Sequence, residues 1–245
     1  MSRNYLQPPL IEALCEFQFS SENWDWTIPG LVYQKIGERY PTKRQMKMVE
    51  FELQAKSSEI SPRVRGDADR MQFLTTNESE LVQVGQNMLA INFLQPYPKW
   101  RIFRSRIAEM FDMYKDIAHP AAIKRIGLRY INKIEIPASV FDLSEYFNVQ
   151  PKLPDQMPSN FGSVFMRTEV PYGPNAGLLI LTFASNPSEK PDNSSFILDL
   201  DFATFGEHGC QFENYFEWIE KAHEFVETAF ESCITDQARS LFREE

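Results

Sequence analysis

Two stretches of the chain alternate between apolar and polar residues with the period that a half-buried strand requires. From Leu10 to Phe19, one face carries Ile11, Ala13, Cys15, Phe17 and Phe19. The other is mixed and acidic, with Leu10, Glu12, Leu14, Glu16 and Gln18. From Ile123 to Ile136, one face carries Ile126, Leu128, Tyr130, Ile134 and Ile136, interrupted only by Asn132. The other carries Arg125, Gly127, Arg129, Lys133 and Glu135, with Ile131 among them. Each stretch predicts a strand with one face in the core.

The remaining pattern fills in the elements between and after them. Thr27 and Pro29 open a helix in which Leu31, Val32, Ile36 and Tyr40 recur at helical spacing, and Pro41 stops it. Val49–Leu53, Met71–Thr75, Leu81–Gly85 and Met88–Leu94 read as strands, with residues 57–69 as a polar loop between the first two. Trp100–His119 is a long helix whose core stripe is Phe103, Ile107, Met110, Tyr114 and Ile117. Beyond the central strand come a short helix over Ser139–Phe147, a proline-rich stretch from Pro151 to Pro158, and strands over Phe165–Val170, Leu178–Ala184 and Phe196–Phe202. A second long helix over Glu213–Cys233 turns Ile219, Ala222, Val226, Ala229, Phe230 and Cys233 inward. Thr235 caps a last short helix ending near Phe242.

In element order, residues 1–120 read strand, helix, four strands, helix. Residues 121–245 read strand, short helix, three or four strands, helix. This order resembles the duplicated halves of the TATA-binding-protein fold. There each half is a curved antiparallel sheet backed by helices, and the first strands of the halves lie side by side. The expected class is α+β, in two similar halves forming one continuous globule. On this reading Leu10–Phe19 pairs with Ile123–Ile136, and Glu12 and Glu16 answer Arg125 and Arg129 across the pair. The alternative is a single sheet around a long C-terminal helix, as in helix-grip folds.

Net charge is −9, which argues against a general nucleic-acid binder, because such proteins need a cationic surface to displace counterions. The basic clusters are residues 63–70 and 101–106. The three cysteines, Cys15, Cys210 and Cys233, form no C-x-x-C pair and point to a reducing compartment. No apolar run approaches the ~20 residues of a membrane span, and the start of the chain lacks a signal-peptide core. The protein is expected in the cytoplasm, without a membrane role.

No G-x-S-x-G, P-loop, G-x-G-x-x-G or H-E-x-x-H occurs, so no catalytic residue, metal site or cofactor is expected. The constellation that stands out is Glu12, Glu16, Arg125, Arg129, Tyr130 and Asn132. It reads either as a polar binding patch on a sheet face, where arginine suits bidentate recognition, or as structural cross-strand ion pairs. Asn132, on the apolar side, must find partners for its amide. His119 reads as a helix-end residue and His223 as a packing histidine. His208 carries no signal of its own. Glu213, Glu217, Glu220, Glu224, Glu227 and Glu231 line one long helix. They read as a solvated face or as a docking face for a basic partner. Trp24, Trp26 and Trp100 would anchor an interface if exposed.

Pro8-Pro9-Leu10-Ile11-Glu12-Ala13 and Arg125-Ile126-Gly127-Leu128-Arg129-Tyr130-Ile131-Asn132, with His223-Glu224 and Thr235 near the end, resemble a sporadically distributed, uncharacterised bacterial protein family. Its members open on a Pro-Pro-(Ile/Leu)-x-Glu-Ala strand and carry a central Gly-Leu-Arg-Tyr-x-Asn strand. The resemblance covers nearly the full length. It implies an accessory module of patchy distribution, of the kind found among defence systems or toxin–antitoxin partners, and brings no catalytic residues. The expectation is a non-enzymatic binding or regulatory protein that recognises a protein partner, a basic effector or a second copy of itself. The alternative is a small-molecule or nucleotide binder with a cavity between the sheet and the C-terminal helix.

Overall fold

The computed structural model describes the chain apart from residues 1, 2, 4, 57, 58, 155, 158–161, 174, 175, 205–208, 244 and 245, and gives the backbone alone for 47–68. Among the described residues, nine strands form one antiparallel sheet: β1 (Leu10–Ser20), β2 (Thr42–Lys56), β3 (Glu59–Leu74), β4 (Glu80–Gly85), β5 (Met88–Leu94), β6 (Ala122–Ile136), β7 (Phe165–Pro171), β8 (Leu178–Asn186) and β9 (Ser194–Ala203). Their order is β2-β3-β4-β5-β1-β6-β9-β8-β7. The fold is α+β, a large antiparallel sheet with few helices.

The two alternating strands are neighbours at the middle of this sheet. β1 pairs antiparallel with β6, with Ala13 opposite Tyr130, Cys15 opposite Leu128 and Phe17 opposite Ile126. Because side chains alternate across a strand, this register puts both apolar faces on one side. Ala13, Cys15, Phe17, Ile126, Leu128 and Ile134 are all fully buried there.

The helices α1 (Ile28–Ile36), α2 (Trp100–Ala118) and α3 (Tyr215–Cys233) pack on that same side. Phe111 of α2 meets Phe17 at 4.8 Å between ring centres, Phe103 of α2 meets Phe93 of β5 at 5.5 Å, and Phe225 of α3 meets Phe202 of β9 at 5.1 Å. Tyr33 of α1 lies on Phe73 of β3. α2 covers β5 and α3 covers β6 and β9. The C-terminal helix therefore shares its side of the sheet with α2, and the sheet does not wrap around it alone as the helix-grip alternative requires.

Residues 5–7 pack against α3 and the segment after α4 (Asp236–Ser240), whose N-cap Thr235 accepts from the Ala238 N–H as expected. Leu6 N–H and Gln7 N–H donate to the carbonyls of Arg243 and Phe242. Tyr5 donates to Glu231 of α3 at 2.7 Å.

Three expectations need correction. Residues 59–69, read as a polar loop, continue β3, paired with β2 from Thr42↔Leu74 to Lys56↔Glu59. Over that length β3 has one neighbour, since β4 pairs only with Arg70–Leu74. A strand with a free side tolerates Pro62, which lacks an N–H, and Gly66. The short helix over Ser139–Phe147 is a single 3-10 turn, Leu143–Glu145, held by Asp142 accepting from the Ser144 N–H at 2.9 Å. In α1, Leu31 faces outward, and Ile28 joins Val32, Ile36 and Tyr40 in the core. Among the described residues, no helix is long and apolar enough to cross a membrane.

Candidate functional site

With all long helices on one side, the other side of the β1–β6 seam is helix-free among the described residues. Between the register shifts at Leu10/Glu12 and Gln18/Phe19, it carries Glu12, Leu14, Glu16 and Gln18 of β1, the odd-numbered residues of β6 from Arg125 to Ile131, and Asp199 and Asp201 of β9. Leu14 sits opposite Arg129, Glu16 opposite Gly127 and Gln18 opposite Arg125. Arg129 in turn faces Asp201 of β9, with Asp199 one diagonal step away.

Charge pairing on this side runs across four strands. Arg125 Nη1 lies 3.4 Å from Glu16 Oε1 and its Nη2 lies 3.2 Å from Asp201 Oδ2. Glu16 Oε2 also meets Arg70 of β3 at 3.6 Å. Arg129 grips Asp199 with both prongs, Nε to Oδ1 at 2.8 Å and Nη2 to Oδ2 at 2.6 Å. This planar two-bond geometry is the stronger kind of ion pair. Asp199 holds the Arg129 guanidinium more firmly charged than usual, against the opposing effect of burial. Burial raises the pKa of the Asp201 carboxyl above its usual value, and Arg125 and Arg129 offset that only in part.

Gly127 makes room for this arrangement. The Arg125 guanidinium folds over it, and a side-chain carbon at position 127 would stand 3.0 Å from Arg125 Nη1. Glycine inside a strand marks such a close approach.

Glu12 takes no part in the arginine pairs. Its Oε1 accepts from Asn92 Nδ2 at 2.6 Å; Asn92 Oδ1 accepts from Gln83 at 3.0 Å, and Gln83 Oε1 from Gln72 at 3.1 Å. This amide ladder crosses β1, β5, β4 and β3 on the helix-free side.

Of the six residues singled out by sequence, Glu12, Glu16, Arg125 and Arg129 share the helix-free side. Tyr130 and Asn132 lie on the covered side and are buried. Asn132 satisfies its amide on the next strand, donating from Nδ2 to the Leu198 carbonyl at 3.2 Å. The sequence reading missed Asn92, Asp199 and Asp201, and had Arg70 only as part of the 63–70 basic cluster. The signal for the last two was present: Asp199 and Asp201 alternate with Leu198, Leu200 and Phe202.

Tyr130 belongs to a second polar cluster, between the sheet and the helices. Its hydroxyl lies 2.9 Å from His223 Nδ1 and 3.2 Å from the Tyr97 hydroxyl. His223 Nε2 faces Glu227 at 3.3 Å. Nε2 therefore carries the proton, Nδ1 accepts from Tyr130, and Tyr130 accepts from Tyr97. Trp100 stacks on the imidazole at 4.1 Å and donates to Glu220 at 3.0 Å. Burial lowers the His223 pKa to about 4, with Glu220 opposing.

The acidic face of α3 is largely engaged. Glu217 pairs with Lys221, Glu220 with Trp100 and Arg104, Glu227 with His223, and Glu231 with Tyr5 and Arg239. Glu213 and Glu224 remain exposed. Trp26 is 56% exposed and packs edge-on against Trp24. Of the basic clusters, the side chains of Arg63 and Arg65 lie outside the described residues and Arg101 is exposed; His208 also lies outside the described residues.

Two surface depressions, about 440 and 360 Å³, run along the outer side of α2 and between α1 and α2. The space between sheet and helices behind β1 is filled by rings, with Phe111 stacked on Tyr215 at 4.1 Å and on Phe17. Among the described residues, no three His, Cys, Asp or Glu side chains gather as metal ligands would. Compared with known families and curated proteins, the chain matches no family model and no curated protein.

Proposed function

We propose that this protein is a non-enzymatic binding partner that recognises another protein with the helix-free side of its β1–β6 seam, in the manner of an antitoxin or defence accessory component. The observation that carries the reading is the cross-strand array of Arg70, Glu16, Arg125, Asp201, Arg129 and Asp199. Its side chains are held in place by one another and remain partly exposed. An array already ordered loses little side-chain entropy on binding. Its charges nearly balance, which suits a protein surface of mixed charge better than an isolated anion.

The strands run outward from the seam as β5-β4-β3-β2 on one side and β9-β8-β7 on the other. A long helix follows each set. This order supports two related halves, residues 1–120 and 121–245, with the recognition surface at their junction. The resemblance of Pro8–Ala13 and Arg125–Asn132 to the patchily distributed bacterial family supports an accessory role. The net charge of −9 suits a basic effector as partner.

Affinity purification of the full chain from its native host tests the reading. The expected result is one stoichiometric partner that dissociates at raised salt. A chain that purifies alone, with a small molecule seen by native mass spectrometry, would instead support a ligand-binding protein.

A further inference from the structure

β7 ends the sheet, and among the described residues nothing pairs with its outer side. Its side chains are nearly all exposed, Phe165 at 76%. Proteins usually protect such an edge with lysine, bulges or an interrupting proline. The opposite edge strand, β2, begins Thr-Lys-Arg-Gln-Met-Lys. β7 reads Phe-Met-Arg-Thr-Glu-Val-Pro, with no lysine, no net charge, no break in its register with β8, and its proline only at the end.

The direction of its peptide groups follows from the flanking bonds. Ser185 N–H donates to the Val164 carbonyl at 2.8 Å, and Tyr172 N–H donates to the Gly177 carbonyl at 2.9 Å. Both fall on the β7–β8 register. Even-numbered positions therefore turn their peptide groups toward β8. Phe165, Arg167, Glu169 and Pro171 turn theirs to the free edge.

We propose that this edge is a homodimer interface, in which two copies pair their β7 strands antiparallel about a two-fold axis through Thr168. That axis places Arg167 opposite Glu169 of the second copy, twice. These are the residues whose N–H and C=O groups face outward, so each such pair closes both of its backbone bonds. Phe165 donates to the carbonyl of Pro171 of the second copy, where the missing proline N–H costs one bond at each end. On the helix side Met166 meets Val170 of the second copy, and Thr168 meets its own copy. Arg167 and Glu169 now pair within one strand at 2.6 Å, both about half exposed, and exchange partners across the axis without desolvating an unpaired charge. Two nine-stranded sheets become one, and the seam side of each copy stays uncovered.

The test is sedimentation velocity of the full chain across a wide concentration range. The wild type is expected to dimerise reversibly. Glu169→Pro removes an N–H that faces only the free edge, so it should abolish the dimer and leave the circular dichroism spectrum unchanged. Arg167→Glu alone and Glu169→Arg alone set like charges opposite each other and should each weaken dimerisation roughly tenfold. An equimolar mixture of those two variants should recover it as a heterodimer. A wild type that stays monomeric at the highest concentration overturns the proposal. So does a dimer that the charge variants leave unchanged, a result that stands even if the proline variant fails to fold.

Discussion

Arg129 on β6 closes both of its guanidinium prongs on Asp199 of β9, at 2.8 and 2.6 Å, and on neither glutamate of β1. Leu14 is opposite Arg129, so Glu12 and Glu16 each lie a diagonal step away on one side, as Asp199 does on the other. Glu12 is held by Asn92 and Glu16 by Arg125 and Arg70, whereas Asp199 offers both of its oxygens. The expected β1–β6 charge match survives only as Arg125 with Glu16. Arg129→Ala would leave Asp199, largely covered, with no counter-charge, so urea denaturation should show a loss of about 1–3 kcal/mol. Arg129→Lys should recover only part of it, because an ammonium cannot make the two-pronged bond.

The buried His223 gives the protein a defined acid sensitivity. Its pKa is about 4 in the fold and near 6.5 in an unfolded chain. Between those values the unfolded state binds a proton that the native state does not. Its contribution is complete above pH 6.5 and is lost as pH falls toward 4, by about 3 kcal/mol at most. His223→Gln should flatten that part of the stability–pH curve, measured by denaturant midpoints at closely spaced pH values. The imidazole resonances of His223 should not titrate above pH 5.

A buried carboxylate ties three separate elements together. Glu80 of β4 accepts from the Tyr40 hydroxyl after α1 and lies 2.7 Å from Arg106 Nε of α2. Arg106 also holds Glu109, which in turn meets Arg39. Burial pushes the Glu80 carboxyl upward, so its charge depends on these neighbours. Arg106→Leu should cost about 3 kcal/mol, because it removes the cation in contact with the buried carboxylate and leaves only Arg39, through space, to favour its charge. Adding Glu80→Gln, which keeps an acceptor for Tyr40 but removes the charge, should restore most of the loss. Thermal denaturation of the single and double variants measures the difference.

The seam of the sheet was legible because both of its strands alternate through their middles, and alternation fixes which face is buried; the register shift that turns Leu10 into the core was not. The β2–β3 ribbon was not, since Pro62 and Gly66 read as loop signals wherever a strand is assumed to have two neighbours. In the site, the acidic alternation of Asp199 and Asp201 was visible, but choosing between their carboxylates and those of Glu12 and Glu16 required the register. Glu12 finding Asn92, and Glu80 finding Tyr40 and Arg106, join residues tens of positions apart. No local spacing announces such contacts. From the sequence Arg106 is one member of a basic cluster, and only the fold shows that its partner is the buried Glu80.

The most direct test of recognition by the seam uses a photo-crosslinking amino acid in place of Gln18, which is exposed on the helix-free side, and in place of Glu224, which is exposed on α3. Irradiation in the native host should attach one partner protein at position 18 and none at position 224. Adducts from position 224 alone, or from neither position while the chain remains folded and expressed, would contradict recognition by this side of the sheet.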